Sequence, residues 1–222
     1  NKSSNFHLPG TKTINAFYAG YEILDEDYDV LCKFDGDLIF EPNYLSSLKV
    51  NFENNPRLGM FGGVCYIKKE NNWILENLSQ NNHIRGALKA YRKECFFQVG
   101  KLRRAIGWDT LDEILAQYYQ WEVLVDDSLK VKHLKPTGFN YSKGSTLLQG
   151  EAIYRMRLGW LLTLIIAIKR GMVVQSIGVF WSFLKGYSIA KKNKTPFTVD
   201  QLQGKFLRKY RWRMILRRIK QK

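Results

Sequence analysis

The 222-residue chain lacks a long apolar run. Its longest such run, from Leu158 to Ile168, is closed by Lys169 and Arg170. A membrane-spanning helix needs roughly 18 or more apolar residues, so a simple transmembrane span is not predicted. Internal repeats and low-complexity tracts are also lacking.

Cysteine is scarce, and its spacing excludes several kinds of site. Cys32, Cys65 and Cys95 form no CxxC pair, and no secretory signal-peptide pattern is seen. An odd number of widely spaced cysteines predicts thiols that are reduced and buried in a cytoplasmic protein.

Acidic residues are rare in the last third of the chain. Residues 1–150 hold equal numbers of acidic and basic side chains, whereas residues 151–222 hold 17 Lys and Arg against two Asp and Glu. The whole net charge of +15 therefore belongs to the C-terminal segment. This division predicts a neutral folded domain, residues 1–150, followed by a segment that meets lipid headgroups or nucleic acid.

What is present fits an α/β domain, since a hydrophobic content of 45% is ordinary for a globular protein. Periodicity and turn signals predict helices at 13–24, 41–55, 87–99 and 110–119, and strands at 30–34, 58–67, 122–125 and 129–133. Gly62 and Gly63 predict a bulge or a close backbone approach. Residues 68–83 are polar and typical of a loop, apart from Trp73, Ile74 and Leu75, and 136–138 mark the end of the core.

The C-terminal segment predicts three further helices. Residues 154–168 and 172–185 are strongly apolar and predict a helical hairpin that turns at 169–171. The last helix begins near Asp200 and carries nine Lys or Arg, with five apolar side chains on roughly one side: Phe206, Tyr210, Met214, Ile215 and Ile219. The apolar hairpin favours a membrane surface over nucleic acid as the partner, although these helices could also simply cover the core.

Asp35-Gly36-Asp37 directly follows the predicted strand 30–34, which places two carboxylates at the edge of a sheet, where open α/β sheets bind ligands. Such a pair can share Mg²⁺ or Mn²⁺ with the oxygens of a phosphate. The cation would neutralise a leaving diphosphate. By itself, the triplet more often marks a solvated acidic turn.

The surroundings of this triplet carry a family resemblance. Residues 28–38 (YDVLCKFDGDL), followed by Pro42, resemble the central segment of family 2 glycosyltransferases, which are inverting enzymes of the GT-A fold. The resemblance implies that Asp35 approaches the ribose of a nucleotide and that Asp37 binds the metal ion. Upstream residues resemble the nucleotide-proximal loop and helix, which implies donor contacts for Lys12, Ala16 and Gly20.

Two downstream segments resemble parts of the same family. Residues 86–96 resemble its acceptor-side helix, and 107–113 (GWDTLDE) resemble its catalytic-base segment. The implied acceptor contacts are Gly86, Arg92, Trp108 and Asp109.

An inverting transfer needs a carboxylate that accepts the proton of the acceptor hydroxyl. The family usually shows Glu-Asp where this chain has Asp112-Glu113, so either residue is a candidate. Acidic residues are also favoured in the first turn of a helix whatever their function, and Asp109 fits the position of a helix N-cap.

Three further observations concern basic residues and histidines. His133 ends a predicted strand where similar enzymes often place a third metal ligand, whereas His83 has no such support. Arg85 and Lys89 are candidates for diphosphate or acceptor contacts, or for solvated helix charges.

Together, the resemblances imply a GT-A-like (Rossmann-like) mixed sheet flanked by helices, which lacks the first part of the nucleotide-binding half. A helical appendage, residues 151–222, would follow it at the membrane surface. The implied activity is transfer of a sugar from a nucleotide-diphosphate sugar to a glycan or lipid-linked acceptor, with Mg²⁺ or Mn²⁺, by a peripheral protein on the cytoplasmic face of a membrane. Bacterial enzymes that assemble surface polysaccharides are of this kind.

Two rival functions remain open. A nucleotidyltransferase or phosphotransferase would use the same arrangement of Asp, metal and diphosphate, and the missing GxxxxGK[ST] loop excludes only its P-loop version. The basic end could instead form a nucleic-acid-binding module, although no nucleic-acid partner is expected.

Overall fold

A computed structural model describes residues 11–76, 83–135 and 145–220 of the chain. It is an α/β structure with an open mixed sheet flanked by helices. The described residues form two compact units. One comprises 13–76, 83–103 and 108–135 and holds the sheet; the other comprises 11–12, 104–107 and 145–220 and is helical. The predicted boundary at 136–138 lies outside the described residues.

The sheet has six strands. These are β1 (Val30–Phe34), β2 (Leu38–Ile39), β3 (Leu58–Lys69), β4 (Asn72–Leu75), β5 (Leu88–Arg92) and β6 (Glu122–His133). The order is β1-β5-β3-β6-β2, and β4 pairs with the end of β3. Only the β3–β6 pair of these strands is parallel. The helices that lie wholly or mainly in this unit are α1 (Thr11–Tyr21), α2 (Tyr44–Asn54), α3 (Lys93–Gln98) and α4 (Trp108–Tyr118).

The predicted helix over 87–99 is wrong in its first half. Residues 88–92 form β5, which pairs with β1 on one side and β3 on the other, and only residues 93–98 are helical. Four of the five residues of β5, including Lys89, are buried. Pairing on both sides and burial outweigh the helix propensity of Leu, Lys and Ala.

The predicted strand 58–67 is confirmed, together with its glycine irregularity. The register between β3 and β6 shifts between Gly62 and Val64. A Cβ at Gly63 would lie 2.3 Å from the carbonyl oxygen of Leu129, and one at Gly62 would lie 2.3 Å from the side chain of Ile84. Only glycine allows these approaches, because any larger residue would force the neighbouring segments apart.

Two strand predictions need correction. No strand was predicted within 68–83, but residues 72–75, which include the three apolar residues of that segment, form β4, because β3 extends to Lys69 and the chain turns back to pair with it. The two predicted strands 122–125 and 129–133 form one strand, β6, which follows β3 through a bulge.

The helical unit contains α5 (Ser145–Arg155), α6 (Trp160–Val174), α7 (Ile177–Lys192) and α8 (Gln201–Lys220). Two apolar helices, α6 and α7, follow each other as predicted, but their turn lies at 175–176 rather than 169–171. The predicted helix 154–168 is wrong at its start, because 154–155 end α5, which the sequence did not predict, and 156–159 are not helical. Gln175 adopts a left-handed conformation that ends α6, and the Ser176 side chain accepts a hydrogen bond from the amide of Val179 to begin α7.

Helices α5 and α7 cross at two glycines. A Cβ at Gly150 would lie 2.0 Å from the carbonyl oxygen of Phe183, and a Cβ at Gly186 would lie 1.9 Å from that of Leu147. The backbones therefore touch directly. Ala167, Phe183 and Leu184 form the buried core beside this crossing.

Apolar side chains stand exposed where α6 meets α7. We call this surface the α6–α7 corner, formed by Met172, Val173, Val174, Ile177 and Trp181, whose exposed fractions run from 52% to 73%. Within the described part of the chain, no helix has the length and apolar character to cross a membrane.

The cysteine prediction is correct for the free state of the thiols and for two of the three burials. Cys65 and Cys95 are buried, whereas Cys32 is exposed. Cys32 alternates outward on β1 between the buried residues Leu31 and Lys33.

Candidate active site

The first carboxylate of the Asp35-Gly36-Asp37 triplet is held by a buried lysine. Lys33, only 3% exposed, donates from Nζ to the Asp35 carboxylate and to the carbonyl oxygen of Gly86 at 2.7 Å. The Asp35 amide donates to the carbonyl oxygen of Ala87 at 2.8 Å. Asp35 thus lies fixed at the end of β1, with about a third of its side chain exposed.

The second carboxylate lies beside the predicted histidine. β2 pairs with β6 so that Leu38 faces His133, which brings the preceding residue, Asp37, to the imidazole. Asp37 Oδ1 is 3.6 Å from His133 Nε2. The other ring nitrogen, Nδ1, is 3.6 Å from Oε2 of Glu76. Residues that are 96 positions apart in sequence thus meet at one edge of the sheet.

The N-terminus of α4 lies against Gly86. A Cβ at Gly86 would lie 3.1 Å from the Trp108 ring and 3.2 Å from Asp109 Cβ. The amino groups of Lys33 and Lys89 lie 5.7 and 5.8 Å from the centroid of the same ring. Asp109 follows this tryptophan in the first turn of α4, with 34% of its side chain exposed.

A buried network lies behind Asp109. Lys89, fully buried, donates from Nζ to Asp112 Oδ1 and Glu113 Oε1, each at 2.9 Å, and to the carbonyl oxygen of Asp109. Tyr91 donates its hydroxyl to the other oxygen of Asp112. Asp112 and Glu113 are only 2% and 5% exposed. Both carboxylates are therefore buried and hydrogen-bonded to other buried side chains.

His83 closes this network from the outside. Its Nδ1 lies 2.9 Å from Glu113 Oε2, and its Nε2 lies 3.6 Å from Asp109 Oδ2. Burial lowers the pKa of His83, but the neighbouring carboxylates of Asp109 and Glu113 outweigh it and raise the pKa to about 9. His83 is therefore a cation at neutral pH.

The same charges shift the neighbouring groups. Burial lowers the pKa of Lys89, but the charges of Asp112 and Glu113 outweigh it, so the pKa lies above its usual value. Burial raises the pKa of Asp112 to about 6, against the opposing charge of Lys89. For Asp109, burial raises the pKa, but His83 and Lys89 bring it below the usual value. Asp109 is therefore ionised at neutral pH.

Contacts join the two groups of acids. Asp35 accepts a hydrogen bond from Lys33, Lys33 donates to the carbonyl oxygen of Gly86, and Gly86 lies so close to Trp108 and Asp109 that a Cβ there would press on both. All five residues belong to the unit that holds the sheet. The end of β1 and the N-terminus of α4 therefore lie close together in that unit, and each carries a partly exposed carboxylate.

No family model matches this chain, and no curated protein matches it significantly. Among solved structures, the chain is similar to A197 from STIV, with a TM-score of 0.38 and 16% sequence identity. The match covers 56% of this chain and 65% of A197, so the chain spans less than two thirds of that neighbour's length. At this TM-score, the likeness carries no argument about fold or activity.

The remaining predicted site residues have no contact with these acids among the hydrogen bonds and ion pairs described above. Lys12, Ala16 and Gly20 are exposed along α1, and their donor contacts stay a prediction. Arg92 donates to the carbonyl oxygens of residues 52, 55 and 58. These bonds tie its guanidinium to the end of α2 and the start of β3, and we assign it no acceptor contact.

Four residues that carry the site's geometry had little or no support from the sequence. These are Lys33, Glu76, His83 and Lys89. Lys33 gave a weak signal, because it stands in an apolar strand at a position that alternation turns inward. Lys89 was a candidate only for a diphosphate or acceptor contact, and its segment was predicted as a helix, so its burial in β5 did not follow from the sequence. Glu76 and His83 gave none, since their neighbours in the chain do not include their partners in the site.

Proposed function

We propose that the protein transfers a sugar, with inversion, from a nucleotide-diphosphate sugar to a glycan or lipid-linked acceptor, on a GT-A-like sheet and with Mg²⁺ or Mn²⁺. One observation carries the proposal. The partly exposed carboxylate of Asp35, at the end of β1, is linked through Lys33 to Gly86, which packs against the first turn of α4, where the carboxylate of Asp109 is also partly exposed. A transferase of this class needs acids on both sides of the anomeric carbon.

Asp37 and His133 fit a divalent cation. Two atoms that bind one Mg²⁺ ion at about 2.1 Å each lie roughly 3 to 4 Å apart, and the oxygen and nitrogen here are separated by 3.6 Å. The Asp37 side chain is 29% exposed, which leaves room for phosphate oxygens to complete the shell. When bound, the cation would supply charge neutralisation for the leaving diphosphate.

Asp35 takes a different role in this proposal. Its carboxylate already accepts a hydrogen bond from Lys33, which neutralises one oxygen and fixes the side chain. The exposed part of the carboxylate does not bind the divalent cation. It can accept hydrogen bonds from hydroxyl groups of the donor, as the position of Asp35 at the end of β1 implies.

We assign the base to Asp109 rather than to Asp112 or Glu113. A base must reach the acceptor hydroxyl, and geometry is the first requirement. Asp109 is exposed to about a third, whereas Asp112 and Glu113 are buried and bonded to Lys89. Asp109 is ionised and so can take the acceptor proton, and the cationic His83 beside it orients the carboxylate.

A membrane surface is the proposed location. The net charge of +15 belongs to residues 151–222, and the α6–α7 corner exposes five large apolar side chains. Lys169 and Arg170 stand near the end of α6, beside this corner. An apolar tip with adjacent cations is suited to the headgroup region of an anionic bilayer.

Incubation with nucleotide sugars and Mn²⁺ tests the activity. We expect free nucleoside diphosphate from a UDP- or GDP-sugar, including slow hydrolysis without an acceptor, since Asp109 can also activate water. Asp37→Asn and Asp109→Asn should each reduce this release by about 100-fold or more. Asp27→Asn, on an exposed turn of the same unit, is the matched control and should keep full release.

Other products would point elsewhere. Pyrophosphate from a nucleoside triphosphate would indicate a nucleotidyltransferase instead. Normal release by a folded Asp109→Asn variant, with loss in a folded Asp112→Asn variant, would return the role of base to Asp112.

A further inference from the structure

Three side chains with different ligand atoms meet behind Asp37. Cys65 lies on β3, Glu76 directly follows β4, and His133 ends β6. The Glu76 amide donates to the carbonyl oxygen of Cys65 at 2.9 Å, and Ile67, two residues beyond Cys65, faces His133 across the parallel pair. The thiol, one carboxylate oxygen and one ring nitrogen all lie within 4.8 Å of one another.

All three residues are buried, with 2% to 6% of their surface exposed. His133 Nδ1 has no hydrogen-bond partner among the residues that the structure describes, and Glu76 Oε2, at 3.6 Å, is beyond hydrogen-bond distance. A buried ring nitrogen without a partner costs free energy. A ligand bound at this nitrogen would remove that cost.

The mixture of ligand atoms selects the metal. Sulfur and imidazole favour Zn²⁺ over Mg²⁺ or Mn²⁺, and one carboxylate is a common third ligand of zinc. Ligand atoms around tetrahedral zinc lie about 3.3 to 3.8 Å apart, so side-chain movements of about 1 Å would close the cluster. Three protein ligands leave the fourth position for water.

We propose that Cys65, Glu76 and His133 form a Zn²⁺ site, with the metal on the Nδ1 side of the imidazole. A neutral histidine bound through Nδ1 carries its proton on Nε2. Asp37 Oδ1 lies 3.6 Å from that nitrogen. A side-chain movement of about 0.5 Å would bring the two within hydrogen-bond distance, and Asp37 would then be the carboxylate that orients the zinc ligand.

Zinc at this site has a consequence for catalysis, which rests on the proposed function. While Nε2 carries a proton, it cannot bind the cation shared with Asp37. Occupation of the zinc site and of the Mg²⁺ or Mn²⁺ site therefore exclude each other. Zn²⁺ should act as an inhibitor that takes His133 away from the nucleotide-binding cation.

Cobalt(II), titrated into the reduced protein, tests the site without any activity assay. We expect the near-ultraviolet charge-transfer absorption of a thiolate bound to cobalt, removed by one equivalent of Zn²⁺. Cys65→Ser should abolish the band and weaken Zn²⁺ binding at least about 100-fold, as measured by competition with a chromophoric chelator. Glu76→Gln should keep the band but weaken Zn²⁺ binding.

The other cysteines supply matched controls. Cys95 is as buried as Cys65, so Cys95→Ser should leave the band and the affinity unchanged. A Cys32→Ser/Cys95→Ser double variant keeps only Cys65 of the three cysteines and should retain the band even if Cys65→Ser fails to fold. Absence of the band in the wild-type protein and the double variant, or its persistence in Cys65→Ser, would overturn the site.

Turnover separates the two proposals. Zn²⁺ should inhibit Mn²⁺-dependent release of nucleoside diphosphate by the wild-type protein and by Cys95→Ser. The rate of Cys65→Ser should be the same with and without Zn²⁺. If no variant turns over, the proposed transferase function fails while the cobalt spectrum still decides the zinc site. If the cobalt band is present but Zn²⁺ does not inhibit turnover by the wild-type protein, the proposal that the two metal sites exclude each other is refuted.

Discussion

His83 shows how a single residue acquires a role from its surroundings. In the sequence it is an isolated histidine beside polar residues. In the structure its two nitrogens face Asp109 and Glu113, which belong to the first turns of α4. The carboxylates raise its pKa to about 9, so the fold itself keeps the imidazole charged.

The free energy of unfolding should report this charge. Because the folded pKa of about 9 lies above the usual 6.5, His83 contributes stability below pH 6.5, and that stability is lost as the pH rises to about 9. We expect a loss on the order of 3 kcal/mol between pH 6 and 9.5, measured by urea unfolding. His83→Asn should remove most of this dependence, and an equally steep loss in that variant would contradict it.

The sequence predicted the positions of some site residues but not which of three neighbouring acids is accessible. Asp35, Asp37 and His133 stand at strand ends, and the pairing of β2 with β6 brings the last two together. Asp109 was assigned to the acceptor side, and exposure now favours it over Asp112 and Glu113 as the base. No spacing rule distinguishes three acids within five residues, because only packing decides which of them Lys89 buries.

At the scale of elements, alternation and turn residues predicted most helices and the long strand β3. They failed for β5, whose residues favour a helix in isolation, and for β4, whose four residues are too short to give a pattern. In both cases, a neighbouring strand supplies the stabilisation. Strand pairing is a non-local property, and no local window contains it.

The crossing of α5 and α7 allows a test at this scale. Gly186→Ala would place a Cβ 1.9 Å from the carbonyl oxygen of Leu147. Because this oxygen belongs to the backbone of α5, the clash can be relieved only if one of the two helices moves. We expect a loss of about 2 to 3 kcal/mol in the free energy of unfolding. Unfolding is measured through the helical circular dichroism signal.

Gly178→Ala is the control within the same helix. The nearest atom to its Cβ would be 3.6 Å away, so the change should be neutral or stabilise α7 by up to about 1 kcal/mol. Equal effects of the two substitutions would show that the helices are not held by the glycine contact.

At the scale of the whole molecule, charge and exposed apolar surface coincide in the helical unit. Residues 151–222 carry 17 basic side chains, and the α6–α7 corner lies within the same segment. A nucleic-acid partner would use the charge but gain little from the corner. A bilayer surface uses both.

Vesicle binding tests this location. The protein should bind vesicles that contain anionic lipid, bind neutral vesicles more weakly, and lose affinity as salt rises. Ile177→Asn, at the corner and 73% exposed, should weaken binding about tenfold or more, because burial of such a side chain contributes about 1.5 to 3 kcal/mol. Co-sedimentation measures the bound fraction.

Leu202→Asn is the matched control, since Leu202 is 67% exposed but belongs to α8 and is not one of the corner residues. Its substitution should leave vesicle binding within about twofold of the wild-type value. Equal losses in both variants would remove the corner from the interface, and tighter binding to an oligonucleotide than to anionic vesicles would favour the nucleic-acid partner.

The sequence by itself determined the α/β class, the uneven distribution of charge, the hairpin of α6 and α7, and the carboxylates that end β1. These are local properties, set by periodicity, turn residues and composition within short windows. The tertiary structure decided that Lys89 buries Asp112 and Glu113, that His83 closes on Asp109, and that Cys65 and Glu76 meet His133. Such contacts depend on the order and register of strands, which bring together residues that no short window contains.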